Sequence, residues 1–257
     1  MGWTSHPILQ PILEREHVAL ELHDASAATW LEAPHARITL MLGLRGTLRV
    51  DGASAPAAWI SGPGGNCSTV VMPGEFSTVD IQLTPLGARA VFGWPLHELA
   101  GRVTSLDELL GPPCGRLMAD LQEASGWRDR LDLVDRFLLG RLELGLRPAP
   151  VVARAWARLQ ESDGRVRIGQ LARELGCSRR LLEARFRDDV GLAPKTAARL
   201  LRFGAVQRAM RDDPVRWADL AYEHGYSDQA HLNRDFRELT GTTPARFLTQ
   251  LRRSPTA

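Results

Sequence analysis

The pattern of apolar and polar positions changes once along the chain, near residue 96. Before that point apolar residues come in short runs bounded by glycine and proline, and segment 78–83 alternates with a period of two. Such runs predict short β-strands. Segments 38–42 and 47–50, joined by a stretch that contains Gly43 and Gly46, predict a hairpin. The first part of the chain is therefore expected to be a small sandwich or barrel.

After residue 96 the apolar spacing becomes helical. Segments 116–124 and 129–144 have apolar positions three and four residues apart, which predicts amphipathic helices. Pro148-Ala149-Pro150 interrupts this pattern and is the best candidate for a linker. We therefore expect two domains, at residues 1–147 and 151–253.

Two copies of one pattern lie 49 to 50 residues apart in the last hundred residues. The first contains Leu171, Ala172, Gly176, Ser178, Leu182, Phe186, Gly191 and Pro194, and the second contains Leu220, Ala221, Gly225, Ser227, Leu232, Phe236, Gly241 and Pro244. The offset is 49 up to the serine and 50 from the second leucine onwards. One extra residue is therefore expected early in the second helix of the second copy.

The residue types of the repeat suit a helix-turn-helix. Glycine adopts the positive φ that ends the first helix, and Ser178 and Ser227 are expected to cap the second helix of each copy. The leucine and phenylalanine four residues apart face the core, which leaves the opposite face free. A helical hairpin with no nucleic acid involved is the alternative, but eight matched positions favour DNA binding. A helix over 195–211 is expected to join the copies.

The charge distribution agrees with a nucleic-acid-binding C-terminal part. Residues 151–257 contain 20 of the 32 Lys and Arg residues and 13 of the 30 Asp and Glu residues, so their net charge is +7 and that of residues 1–150 is −5. Cys67, Cys114 and Cys177 are odd in number and scattered, which indicates no disulfide framework. Because the start resembles no signal peptide and no apolar run approaches the roughly 20 residues of a membrane span, we expect a cytoplasmic protein with no membrane contact.

The second copy resembles the signature of a known family. The segment from Gly225 to Phe236, followed by Gly241-Thr242-Thr243-Pro244, resembles the C-terminal signature of the AraC/XylS family of bacterial transcriptional regulators. Segment 168–194 is similar to the first helix-turn-helix of that family, and the resemblance covers roughly residues 150–250. Segment 30–112 is more weakly similar to the N-terminal domain of uncharacterised members.

The resemblance implies an α+β multidomain fold. Its N-terminal part would be a cupin-like β-barrel or sandwich with trailing helices. Its C-terminal part would be an all-α domain with two helix-turn-helix units, at about 168–190 and 217–240, joined by a linker helix. The implied function is sequence-specific regulation of transcription in response to a small molecule bound by the N-terminal domain. In the alternative, that domain only dimerises or contacts a partner protein.

In the family, the second helix of each unit enters the major groove. Carried onto matching positions, this implies that two groups of residues contact double-stranded DNA. They are Arg179, Arg180, Glu183, Ala184 and Arg187 in the first unit, and Ser227, Gln229, Ala230, Asn233, Arg234 and Arg237 in the second. The other expected partners are a small-molecule effector, RNA polymerase and a second copy of the chain; no cofactor is expected.

Other chemistry finds less support in the sequence. Trp30, Trp59 and Trp94 are candidates to line an effector pocket, although tryptophan in a small β domain is more often part of the core. His23 and His35 suggest a metal-dependent cupin enzyme, but the closely spaced histidines with a glutamate that such a site needs are absent from the sequence. No nucleophile stands near a suitable base in the sequence, so we expect neither a metal nor an enzyme.

Overall fold

The computed structural model describes residues 4–22, 27–211 and 215–251. Within them the N-terminal domain contains nine strands: β1 (Val18–Leu22), β2 (Ala28–Glu32), β3 (Ile38–Arg45), β4 (Arg49–Val50), β5 (Ala53–Ser54), β6 (Ala58–Ser61), β7 (Ser68–Met72), β8 (Phe76–Leu83) and β9 (Val103–Ser105). Its helices are α1 (Pro85–Phe92), α2 (Leu106–Leu110), α3 (Pro112–Glu123) and α4 (Trp127–Leu144), with 3₁₀ turns at Gln10–Ile12 and Leu96–Glu98.

The C-terminal domain is helical in all its described elements. They are α5 (Pro150–Glu161), α6 (Ile168–Glu174), α7 (Arg179–Val190), α8 (Pro194–Ala209), α9 (Trp217–Glu223), α10 (Gln229–Thr240) and α11 (Pro244–Leu251). None of the helices in the described part of the chain combines the length and apolarity needed to span a membrane.

The strands form two antiparallel sheets that do not close into one barrel. The first has the order β1-β8-β3-β6-β9 and the second the order β2-β7-β4-β5. Between them lies a small buried cluster that takes side chains from both sheets: Leu48, Trp59, Val70, Met72 and Phe76. Of the two predicted architectures, the sandwich is therefore the one observed.

The outer face of the first sheet is covered by helices. Alternate residues of β3 and β8, such as Leu40 and Ile81, are fully buried, as their period-two pattern predicts. They pack against side chains of α1, α3 and α4, for example Val91, Leu121 and Leu138. Each such apolar side chain stabilises the fold by roughly 1.5–3 kcal/mol. This larger core fixes the trailing helices to the sheet.

The predicted hairpin between segments 38–42 and 47–50 is wrong. β3 pairs with β6 and β8, whereas β4 pairs with β5 and β7 in the other sheet. The chain crosses between the sheets at Gly46, whose φ is +73° and whose Cβ, if present, would lie 2.4 Å from the Glu75 carbonyl oxygen. The glycine thus marks a close crossover between sheets rather than a two-stranded turn.

The C-terminal helices form two hydrophobic clusters that share α8. The first cluster includes Trp156, Leu182, Phe186 and Leu200. The second includes Phe203 of α8, whose ring centroid is 4.7 Å from that of Phe236. The predicted joining helix is confirmed as α8, which begins at Pro194. Since both clusters use α8, the two halves of this domain are packed on one common element.

His35 predicts an acid-dependent stability. Its ring is buried, and its Nδ1 lies 3.1 Å from the Arg37 carbonyl oxygen. Burial, and to a lesser extent the charge of Arg37, lowers the pKa of His35 to about 3. Between pH 6.5 and 3 the unfolded chain therefore binds a proton that the folded protein excludes, so stability falls as the pH falls.

We expect the free energy of unfolding to fall by about 2 kcal/mol more in the wild type than in His35→Gln between pH 7 and pH 5. Urea denaturation at several pH values measures this difference. Above about pH 7 the two stability curves are expected to run parallel, because His35 is neutral in both states. Parallel curves down to pH 5 would contradict the assignment.

Candidate nucleic-acid interface

The first helix-turn-helix unit consists of α6 and α7. Ala172 is buried where the two helices cross, and Gly176 has a φ of +66° in the turn between them. The Ser178 hydroxyl accepts a hydrogen bond from the Leu181 backbone N–H at 3.2 Å. The predicted turn and cap of the first unit are thus confirmed.

The second unit consists of α9 and α10, and its cap differs from the prediction. Gly225 has the expected positive φ, +76°. The N-cap is Asp228, whose carboxylate accepts the His231 backbone N–H at 2.6 Å, and Ser227 lies one position before it. The extra residue therefore precedes the second helix rather than lying within it.

A carboxylate is well suited to this cap because the N-terminus of a helix has a partial positive charge. The hydrogen bond from the His231 backbone N–H lowers the pKa of Asp228. Ser227 lies one residue before the helix cap and contacts two side chains there. Its Oγ is 3.2 Å from His231 Nδ1 and 3.4 Å from the Asp228 carboxylate. The prediction that Ser227 caps α10 is wrong, because Asp228 takes its place.

All eleven residues predicted to contact DNA lie at the surface of these two units. Glu183 and Asn233 are half-buried and the others are exposed. Because α7 begins at 179 and α10 at 229, ten of them correspond in pairs with an offset of 50: Arg179 and Gln229, Arg180 and Ala230, Glu183 and Asn233, Ala184 and Arg234, Arg187 and Arg237. The structure therefore gathers them into two matching groups, one on each helix.

The buried faces of α7 and α10 explain this exposure. Leu182 and Phe186 of α7, and Leu232 and Phe236 of α10, are fully buried, as predicted. One face of each helix is thereby held in a cluster, so the opposite face projects from the domain.

The charged groups on α7 are only partly engaged. Arg179 Nε donates to Glu183 Oε1 at 2.8 Å, in a pair whose arginine is exposed and whose glutamate is half-buried. Such a surface pair contributes at most about 1 kcal/mol, so DNA can replace it at little cost. Within the described residues, the side chains of Arg180, Arg187 and Arg237 form no hydrogen bond or ion pair. These guanidinium groups can therefore bind phosphate or guanine.

A partly buried polar network fixes α10 to the shared helix α8. Arg199 of α8 forms ion pairs with Asp235 and Glu238 of α10. Tyr226 Oη donates to Asp235 Oδ2 at 2.8 Å, and the Arg202 guanidinium lies 5.5 Å from the centroid of the Tyr226 ring. Burial raises the pKa of Tyr226 well above its usual range, so the hydroxyl remains a donor.

A further contact joins the segment between α5 and α6 to the turn of the second unit. Arg165 Nη1 donates to the Glu223 carbonyl oxygen at 3.2 Å, and its aliphatic stem lies against Gly225, where a Cβ would be 3.0 Å from Arg165 Cγ. A groove of about 850 Å³ lies here, and Arg165, Tyr222, Ser227 and His231 are among the residues that line it. It lies beside the N-terminus of α10.

The sequence did not predict four residues whose contacts cross between elements: Arg165, Arg199, Tyr226 and Asp235. One signal was available for Asp235: it directly precedes Phe236 and follows Leu232 by three residues. A carboxylate so close to the buried face requires a partner.

The structure gives little support to the predicted tryptophan-lined pocket or to a metal site at the histidines. Trp59 is buried between the sheets and Trp30 packs against the same cluster, while Trp94 is exposed and is not part of it. His23 lies outside the described residues. Within residues 4–22, 27–211 and 215–251, no three His, Cys, Asp or Glu side chains are grouped so that they could hold a metal ion.

The different caps predict different costs of matched substitutions. Ser178→Ala should lower the free energy of unfolding by about 1 kcal/mol, because an orphan backbone N–H loses its acceptor. Ser227→Ala should cost clearly less, and Asp228→Ala should lower the urea midpoint more than Ser227→Ala does. Equal losses in Ser178→Ala and Ser227→Ala would show that the cap of α10 is wrongly assigned.

Residues 171–250 match a family model described as a helix-turn-helix domain. No curated protein matches the sequence. Among solved structures, ToxT from Vibrio cholerae is similar at 10% identity over 91% of this chain and 98% of that chain, with a TM-score of 0.49.

Two further structures cover the C-terminal domain. The C-terminal domain of AraT, a response regulator from Geobacillus stearothermophilus, is 19% identical over 40% of this chain and 88% of its own, with a TM-score of 0.38. A transcriptional regulator with an AraC-type DNA-binding domain from Chromobacterium violaceum is 21% identical over 41% of this chain and 95% of its own, with a TM-score of 0.37. Residues 171–250 of this chain therefore form a helix-turn-helix domain that contains the two units described above.

Proposed function

We propose that this protein regulates transcription by inserting α7 and α10 into two segments of major groove about one helical turn (~34 Å) apart on the same face of DNA. The observation that supports this most strongly is the pairwise correspondence of exposed polar residues on two helices packed on the shared α8. We place the domain boundaries at 1–147 and 151–253; within these ranges, residues 1–3, 23–26, 212–214, 252 and 253 lie outside the described part of the chain.

The side chains on each helix suit particular bases. Gln229 and Asn233 are four residues apart on one face of α10 and can each pair bidentately with adenine. Arg180 and Arg234 suit guanine, and Glu183 can accept from the cytosine amino group once Arg179 turns to a phosphate. Ala184 and Ala230 suit the methyl group of thymine. Arg187, Ser227 and Arg237 are proposed phosphate contacts.

The two helices should prefer different sequences. The half-buried Glu183 of α7 corresponds to Asn233 of α10, so a carboxylate stands where the other helix has an amide. The exposed Ala184 corresponds to Arg234, so a methyl group stands where the other helix has a guanidinium. One copy of the protein is therefore proposed to bind an asymmetric site rather than a palindrome.

Asn233→Ala and Gln229→Ala test base recognition. Each substitution should weaken binding to a selected site by about 1–3 kcal/mol and should hardly change binding to random DNA, because base contacts are lost while phosphate contacts remain. Fluorescence anisotropy at fixed salt measures both affinities. Gln122→Ala, an exposed glutamine on α3, is the matched control. Equal losses on the two DNAs would reject these residues as base contacts.

We propose that the N-terminal domain supplies the regulatory input by binding a small molecule. The cluster between the sheets supports this location, since about half of its members, including Trp30 and Met41, are only partly buried. A ligand there would contact both sheets. Catalysis is not part of the proposal.

A dimerising N-terminal domain is the second candidate. Leu144 and Leu146, next to the end of α4, are 78% and 54% exposed, which is unusual for leucines so close together. An apolar pair of this kind is typical of a surface that contacts another protein.

Thermal-shift screening of the full-length protein, combined with sedimentation, distinguishes these candidates. A ligand that binds the folded state should raise the melting temperature, and above Kd the shift should grow with the logarithm of the ligand concentration. If Leu144→Asp converts a dimer to a monomer and no metabolite raises the melting temperature, the dimerising function is favoured. A ligand-dependent shift that persists in Leu144→Asp favours the sensor.

A further inference from the structure

The two helix-turn-helix copies differ most at the C-terminal ends of their recognition helices, α7 and α10. With the offset of 50, Asp189 of α7 corresponds to Leu239 of α10. Leu239 packs against the apolar clusters of the C-terminal domain. Leu239 is only partly buried, whereas Asp189 is buried, with 6% of its surface exposed. A buried carboxylate in place of a leucine needs partners that the second copy does not require.

These partners come from outside the helix-turn-helix. Asp189 Oδ1 accepts a hydrogen bond from Arg89 Nε of α1 at 3.1 Å, and the Arg89 side chain is itself largely buried. Asp189 Oδ2 accepts the backbone N–H of Ala149 at 2.9 Å. Arg89 also donates to the Gly93 carbonyl oxygen at the end of α1. One carboxylate on the last turn of α7 thus joins the N-terminal domain, the interdomain segment and the first recognition helix.

The residues around Asp189 show the same asymmetry. Gly191 has a φ of +84°, and a Cβ there would lie 2.8 Å from the Leu96 carbonyl oxygen and 2.9 Å from Pro63 Cγ. Its counterpart Gly241 has a similar φ, +71°, but no described atom lies within 4 Å of its hypothetical Cβ. The N-terminal domain therefore encloses the end of α7 and leaves the end of α10 open.

Asp188, the acidic residue before Asp189, also contacts the N-terminal domain, whereas its counterpart in α10 pairs with α8. Asp188 lies 3.4 Å from His97 of the N-terminal domain, whereas its counterpart Glu238 forms an ion pair with Arg199 of α8. The N-terminal domain also touches α11, the helix after the second unit, through β2. Among the described residues, however, no hydrogen bond or ion pair joins α10 itself to that domain.

We propose that the N-terminal domain positions the first recognition helix through Asp189, so that the base preference of α7, and not that of α10, depends on the Arg89–Asp189 contact. The proposal rests on the proposed function, since it requires α7 to contact bases. Arg180 and Asp189 are nine residues apart, or about 14 Å along one rigid helix. A tilt at Asp189 therefore displaces Arg180 and Glu183, whose bidentate contacts tolerate little displacement. Asp189 is a positioning residue and does not itself contact DNA.

The test uses full-length protein and a DNA site selected from random sequence by the wild type. Single base changes across the site, measured with Arg180→Ala and Asn233→Ala, first assign each half of the site to α7 or α10. Arg89→Gln should then reduce discrimination at the bases assigned to α7 by about 5- to 10-fold and leave those assigned to α10 unchanged. Arg45→Gln, which breaks the exposed pair with Glu75, should change neither half.

A pair of glycine substitutions provides an independent test if Arg89→Gln does not fold. Gly191→Ala and Gly241→Ala impose similar backbone strain, because both glycines have a positive φ. Only Gly191→Ala also collides with the Leu96 carbonyl group. We therefore expect Gly191→Ala, but not Gly241→Ala, to reduce discrimination at the α7 half.

The possible results distinguish failure of base recognition by α7 from failure of the positioning role of Asp189. If Arg180→Ala does not change base discrimination anywhere in the site, α7 does not read bases and the proposed function fails. If Arg180→Ala has an effect but folded Arg89→Gln discriminates like the wild type, the positioning role of Asp189 is overturned. Equal losses at both halves in Arg89→Gln would also overturn it.

Discussion

The burial of α8 on two sides is the constraint on which the rest of the DNA-binding domain depends. Leu200 faces the cluster that holds α7, while Phe203 and Val206 belong to the cluster that holds α10. Because protein interiors are close-packed, neither recognition helix can rotate without disturbing packing on α8. Arg199 further fixes the orientation of α10 on α8, because it forms ion pairs with Asp235 and Glu238 on one side of α10. Two helices that would otherwise move separately therefore present their exposed faces in a fixed relation.

The local features of this domain could be predicted from sequence because single residues determine them. Gly176, Gly191, Gly225 and Gly241 all have positive φ, and glycine accepts this conformation without steric cost. The apolar pairs four residues apart give the buried face of each recognition helix and, by subtraction, the exposed one. The two groups of site residues follow from that geometry, although their contacts with bases remain a prediction.

The features that sequence reasoning missed depend on residues far apart in the chain. Gly43 and Gly46 resemble a hairpin turn locally, but the close approach of Glu75 makes Gly46 a crossover between sheets. At the second cap, two adequate residues are adjacent, and only the start of α10 decides that Asp228 rather than Ser227 binds the free N–H. Asp189 is a more extreme case, since its donor Arg89 is 100 residues away. No local pattern contains that information.

The imperfections of the repeat are informative for this reason. Where both copies have the same residue, as at Leu182 and Leu232, the packing of the helix-turn-helix itself requires that residue. Where the copies differ, the residue type is determined by the neighbouring elements that each copy packs against. A buried charge is costly unless it is paired, and a leucine would satisfy the helix alone, so an aspartate at position 189 is explained by Arg89 and not by the fold of the unit. The first unit is thus adapted to the N-terminal domain and the second to α8, and a change in the N-terminal domain reaches the two halves of a DNA site unequally.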